Sequence, residues 1–175
     1  MKRDTPSEPG TLGGTLGQQR VITMEPGHAV IEYEVGQHMC HSGGVAQGGF
    51  VAGWIDAAMA HAIIAEVGFD RVPMTLELKV SYFAPAMPGK VRAEGWAEQR
   101  GGSTWFMEGR LIDAADKVLA KASSTIRLID AKRVAAKVAH IGLGAAVDPL
   151  IFELGLDLVK AGRAACLGIV AAAQH

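Results

Sequence analysis

The spacing of apolar positions changes character twice between residues 20 and 130. Two short apolar stretches, Arg20 to Met24 and Ala29 to Val35, flank Pro26-Gly27 and predict a strand pair joined by a turn, because Pro presets φ and Gly accepts positive φ. A glycine-rich stretch, His41 to Gly49, then leads into Phe50 to Val67, which lacks Pro and carries Ala, Met, Ile and Trp, a helical composition. Phe50, Val51, Trp54, Ile55, Ala58, Met59, Ala62 and Ile63 leave this segment little polar face, so the helix must be enclosed.

Beyond the helix the period falls to two. In Thr75 to Phe83, Leu76, Leu78 and Val80 alternate with Thr75, Glu77 and Lys79, which predicts a strand with one buried face. Val91 to Arg100, Ser103 to Asp113 and Lys117 to Ile129 follow, separated by Pro88-Gly89, Gly101-Gly102 and Asp113-Ala-Ala-Asp116. Connections this short join antiparallel strands and leave no room for the crossover helices of a doubly wound α/β domain. Two strands, one long helix and four strands predict an α+β architecture, an antiparallel sheet wrapped around one central helix, which is the hotdog fold.

The whole chain has 175 residues, enough for one well-buried core. Residues 1–18 are rich in Pro, Gly, Ser and Thr and are expected to form a loose tail. Residues 19–132 form the hotdog domain, and 133–175 form an extension in which Asp148-Pro149 is placed to start a helix. A net charge of -1 supplies no broad basic surface for nucleic acid. Cys40 and Cys166 are too few for a disulfide framework, the start lacks a secretory apolar stretch, and Ala164 to Ala173 is too short to cross a bilayer, so a cytoplasmic protein without a membrane span is expected.

Two positions carry candidate chemistry. Gly48 lies at the expected helix start, where backbone N–H groups lack intrahelical acceptors and the dipole is positive, and it has no side chain to keep a substrate away. Asp56 lies among Trp54, Ile55, Ala57, Ala58 and Met59, an expensive place for a carboxylate unless it is paired, hydrated or functional. Hydrolysis of a thioester needs a donor for the developing oxyanion and a carboxylate to activate water or attack carbon. Eight residues of helix hold the two groups roughly 12 Å apart. If both are catalytic, they meet only across a two-fold interface between antiparallel helices of two subunits.

The segment Gly44-Val-Ala-Gln-Gly-Gly-Phe-Val-Ala-Gly-Trp-Ile-Asp-Ala-Ala-Met-Ala60 resembles the helix-start motif of PaaI-type hotdog thioesterases, and Val80-Ser-Tyr-Phe-Ala-Pro-Ala-Met-Pro-Gly89 resembles the strand and turn that follow it. The resemblance spans about residues 20 to 130. It implies acyl-CoA hydrolysis without metal or organic cofactor, in a homodimer often paired into a homotetramer. By position it makes Gly48 the oxyanion-polarising glycine and Asp56 the catalytic carboxylate, and it puts Thr75, His41, Gln47 and Gly49 beside the substrate. Gln47 departs from the commonest motif, which has His there; an amide can hold a loop but cannot titrate near neutral pH.

Plainer interpretations compete at each position. Thr75 is also an ordinary strand residue, and His61 is more simply a packed histidine than a catalyst. His38, Cys40 and His41 lack the second cluster that would complete a zinc set. No Gly-x-Ser-x-Gly elbow or phosphate-binding Gly-x-x-x-x-Gly-Lys-Ser loop is present. Lys79, Lys90, Arg100 and Arg127 are candidates to anchor the nucleotide end of coenzyme A, and Trp54, Met59 and Phe83 to close the acyl pocket. The alternative functions are a hotdog module that binds acyl-CoA or acyl-carrier ligands without hydrolysing them and, last, hydration of an enoyl thioester.

Overall fold

The computed structural model describes residues 6–140. A single helical turn, α1 (Leu12–Thr15), precedes the hairpin β1 (Gln18–Glu25) and β2 (His28–Val35). The long helix α2 (Gly48–Val67) comes next, then β3 (Arg71–Tyr82), β4 (Gly89–Arg100), β5 (Thr104–Asp113), β6 (Val118–Asp130) and α3 (Ala131–His140). The six strands form one antiparallel sheet in the order β1-β2-β4-β5-β6-β3, and α2 touches all six. This is the hotdog architecture that the strand and helix order predicts.

Why the sheet can close on α2 is visible at two glycines. Gly95 and Gly109 face each other across β4 and β5. A Cβ on Gly95 would lie 2.5 Å from the Met59 amide nitrogen and 2.7 Å from the Ala58 carbonyl carbon, and one on Gly109 would lie 2.7 Å from Ile55 Cγ2. The pair forms a notch into which the backbone of α2 settles. Around it Trp54, Ile55, Ala58, Met59, Ala62 and Ile63 are wholly buried against Ile31, Tyr33, Ala93, Leu111 and Ile126.

The helix is enclosed on one side only. Gly53, Ala57, Ala60, His61 and Ile64 are half-buried, so the face opposite the sheet stays partly open. By length and composition α2 could cross a membrane, yet its other face forms the protein core.

Three expectations need correction. Residues 6–17 are tied to the body rather than loose: the Ser7 N–H donates to the Gln18 carbonyl, the Glu34 N–H to the Gly17 carbonyl, and the Trp54 indole Nε1–H to the Leu16 carbonyl at 2.8 Å. Main-chain and indole hydrogen bonds hold a segment whose scarce apolar bulk suggested disorder. Trp54 and Met59 are core residues and line no open pocket. Leu76 is 61% exposed, because β3 carries an extra residue there: its register against β6 shifts between Thr75 and Glu77. The Asp148-Pro149 helix start lies outside the described residues.

Ion pairs brace the sheet's outer face. Glu94 receives His28 Nε2 at 2.9 Å and Arg110 Nε at 2.5 Å. Burial alone would raise the Glu94 pKa, but the hydrogen bonds from His28 and Arg110 outweigh it and hold the carboxyl below its ordinary value. A depressed folded pKa stabilises above the unfolded carboxylate range and is lost as pH falls through the folded value. Glu94→Gln should therefore lower stability at pH 7 by on the order of 1 kcal/mol. Urea unfolding curves of the two proteins should converge on acidification below the carboxylate range.

Candidate active site

The start of α2 is built by its own sequence. Gln47 is the N-cap, in extended conformation, and its side-chain oxygen accepts from the Gly49 N–H at 2.5 Å. The loop before it is closed by the Cys40–Ala46 bridge, by the Gln47 N–H on the Met39 carbonyl and by the Ala46 N–H on the Ala86 carbonyl. Gly49 and Gln47 thus satisfy each other, and the Gly48 N–H has no acceptor among the described residues. It sits at the positive end of a 20-residue helix, where a developing oxyanion is best received.

Two turns along, Asp56 is half-buried on the flank of α2 facing β3. The Thr75 hydroxyl donates to Asp56 Oδ1 at 2.7 Å, leaving the other carboxylate oxygen without a partner among the described residues. The structure therefore joins Thr75 to Asp56. His41 stands apart on the exposed loop, its Nδ1 accepting from the Gly43 N–H at 3.0 Å, which leaves Nε2 as its available nitrogen.

One neighbour escaped the sequence reading. The Tyr82 hydroxyl donates to the Gly48 carbonyl at 2.9 Å, fixing the first peptide of the helix from the far end of β3. Tyr82 stands inside the Val80-Ser-Tyr-Phe motif, but strict alternation from Thr75 would put it on the opposite face of the strand. The extra residue at Leu76 reverses that phase, and both Thr75 and Tyr82 reach α2.

His61 lies farther along α2 with Nδ1–H donating to the Ala57 carbonyl at 2.8 Å; burial pushes its pKa down, against the opposing effect of that bond. It is a packed, neutral histidine. Among the described residues no group of three or more His, Cys, Asp or Glu is arranged to hold a metal. Of the proposed coenzyme A anchors, Lys90 pairs with Glu32 and Arg100 with Glu66, while Lys79 and Arg127 are exposed with no ion pair among the described residues.

Comparison with known proteins identifies the family and the fold. Residues 43–120 match the thioesterase superfamily. The chain is 32% identical over 104 residues to SSO2140 of Saccharolobus solfataricus, whose name ascribes it an esterase activity, covering 59% of this chain and 73% of that protein. The chain belongs to the thioesterase superfamily, and its resemblance to the PaaI-type hotdog branch stands. Among solved structures, PA5202 of Pseudomonas aeruginosa superposes with a TM-score of 0.64 at 25% identity over 73% of this chain and 98% of that one. PaaI of Escherichia coli, from the phenylacetic acid degradation operon, gives 0.61 at 20% identity over 66% and 82%. The protein smu.793 of Streptococcus mutans, solved with acetyl CoA bound, gives 0.59 at 22% identity over 63% and 87%.

Proposed function

We propose that this thioesterase-superfamily protein hydrolyses acyl-CoA to the free acid and coenzyme A, as a cytoplasmic homodimer whose two sites each combine Gly48 of one subunit with Asp56 of the other. The observation that carries the proposal is the Asp56 carboxylate oriented by the Thr75 hydroxyl, in a chain whose helix start presents an unsatisfied Gly48 N–H. In this mechanism Asp56 takes a proton from water and the resulting hydroxide adds to the thioester carbon. The oxyanion is received by the Gly48 N–H, and collapse expels the thiolate, which regains the proton from Asp56. That smu.793 of the same fold binds acetyl CoA supports the ligand class.

The open surfaces support the dimer. β3 forms an edge of the sheet, and Met74, Leu76, Tyr82, Phe83 and Met87 expose apolar area on it or just beyond it. A long edge strand of this kind is a template for pairing, and a contiguous apolar patch marks an interface. Pairing two β3 edges would bring the open faces of two α2 helices together.

Thiol release from short, medium, long and aromatic acyl-CoAs tests the activity; saturable binding with no release would favour a non-hydrolytic module. Subunit mixing tests the shared site. Gly48→Pro removes the N–H at the first helical position, where proline is tolerated, after a Gln47 already in extended conformation with ψ 139°. Gly48→Pro and Asp56→Asn should each be nearly inactive alone. Mixed after dissociation, they should recover up to about a quarter of wild-type activity, since half of randomly assorted dimers are hybrids and each hybrid has one intact site. No recovery from verified hybrids would place both groups in one subunit's site.

A further inference from the structure

Thr75 and Tyr82 are seven residues apart, an odd interval that an undisturbed strand would place on opposite faces. Both nevertheless reach α2, one at Asp56 and the other at the Gly48 carbonyl. The register explains how. Thr75 pairs with Ile126 and Tyr82 with Ala120, so eight residues of β3 stand against seven of β6, and the surplus residue is Leu76. On β6, Ala120, Ala122, Ser124 and Ile126 all face the buried side.

Ser124 is the polar member of that row, only 5% exposed, and its hydroxyl donates to the Glu77 carbonyl at 2.8 Å. Glu77 is the residue at which pairing resumes after the irregularity. A buried hydroxyl is costly without a partner, and a bulge leaves main-chain groups out of the ladder. This bond satisfies the Ser124 hydroxyl and ties β6 to the residue where the ladder resumes, on the side of the strand that faces the helix.

We propose that Ser124 is a positioning residue for the reaction: its bond to Glu77 holds the β3 bulge in the form that aims Thr75 at Asp56 and Tyr82 at the start of α2. This rests on the reading of Asp56 as the catalytic carboxylate. Ser124 makes no hydrogen bond to Asp56; it acts through Thr75. If the bulge relaxes, the Thr75 hydroxyl loses its aim, and a misplacement of this kind costs turnover more than binding.

The test is steady-state thiol release by Ser124→Ala, Thr75→Val and the double variant, with thermal unfolding measured alongside. Ser124→Ala should lower kcat about tenfold with KM within about twofold of wild type. Thr75→Val should lose a similar factor, and the double variant no more than the worse single, because both changes break one chain of contacts. Ser124→Thr, which keeps the hydroxyl, should restore most of kcat. A lowered melting temperature with kcat unchanged, or losses that multiply in the double variant, would overturn the proposal. Should Ser124→Ala fail to fold, Ser124→Cys keeps the volume with a much weaker donor and should show the same fall in kcat; wild-type kcat there would overturn it equally. Asp56→Asn in the same series separates the two ideas. Retained turnover in Asp56→Asn removes the catalytic reading itself, whereas an inactive Asp56→Asn beside a fully active Ser124→Ala removes only the role of Ser124.

Discussion

Replacing Asp56 with Asn should reduce thioester turnover by about 100- to 10,000-fold while leaving the fold intact, the range expected when a positioned acid–base group is removed. The amide keeps the size of the carboxylate and can still accept from the Thr75 hydroxyl, which bonds Asp56 Oδ1 at 2.7 Å. What it loses is the capacity to take a proton from water or to attack carbon. Because Asp56 is half-buried and in no ion pair among the described residues, removing its charge leaves no cation stranded, so the melting temperature should change little. Thiol release with the best substrate of the acyl-CoA panel, beside circular dichroism of both proteins, makes the comparison. Turnover within threefold of wild type would remove Asp56 from the chemistry.

The largest effect on stability is expected far from any charge. Gly95→Ala puts a methyl group 2.5 Å from the Met59 amide nitrogen and 2.7 Å from the Ala58 carbonyl carbon, and the obstacle is helix backbone rather than a side chain that can swing away. The helix must lift or the sheet must flatten. Overpacking of this sort costs about 1–3 kcal/mol, and the backbone contact argues for the upper part of that range. Chemical denaturation should show a lower midpoint with an unchanged slope. Gly102→Ala, in the β4–β5 turn where a Cβ meets nothing within 4 Å, is the control for a glycine replaced without a clash.

Much of this molecule was legible in the order of its elements. The hairpin around Pro26-Gly27, the apolar helix after the glycine-rich loop and four closely spaced strands admit few arrangements other than a sheet around a helix. Asp56 was legible because a carboxylate among Trp54, Ile55 and Met59 violates the local pattern, and Gly48 because it opens the helix. Gln47 was placed beside the substrate, and the structure gives it the task of capping the helix through the Gly49 N–H.

The misreading of β3 has a specific cause. Periodicity finds strand faces only while the period holds, and Leu76 breaks it, so the alternation assigned Leu76 to the interior and Thr75 to the far side, whereas Leu76 is exposed and the Thr75 hydroxyl points to Asp56 on α2. Nothing in Thr75-Leu-Glu-Leu marks a bulge, since no glycine stands there and the neighbours favour strands. Alternation through Leu78 and Val80 puts Tyr82 on the helix-facing side, but nothing in the sequence showed that its hydroxyl reaches the Gly48 carbonyl. Residues 6–17 were read as loose because their partners, the Trp54 indole and the Glu34 amide, come from distant parts of the chain.

The bulge also gives β3 a parity. Deleting Leu76, the surplus residue between Thr75 and Tyr82, would leave six steps of β3 against six of β6, an even interval at which both hydroxyls face α2 without a bulge. Deleting a second residue, or adding one while the bulge stays, makes the effective interval odd and turns one of the two hydroxyls outward. Tolerance to length change in this segment should therefore be lopsided, with the loss of Leu76 accepted and a single insertion not.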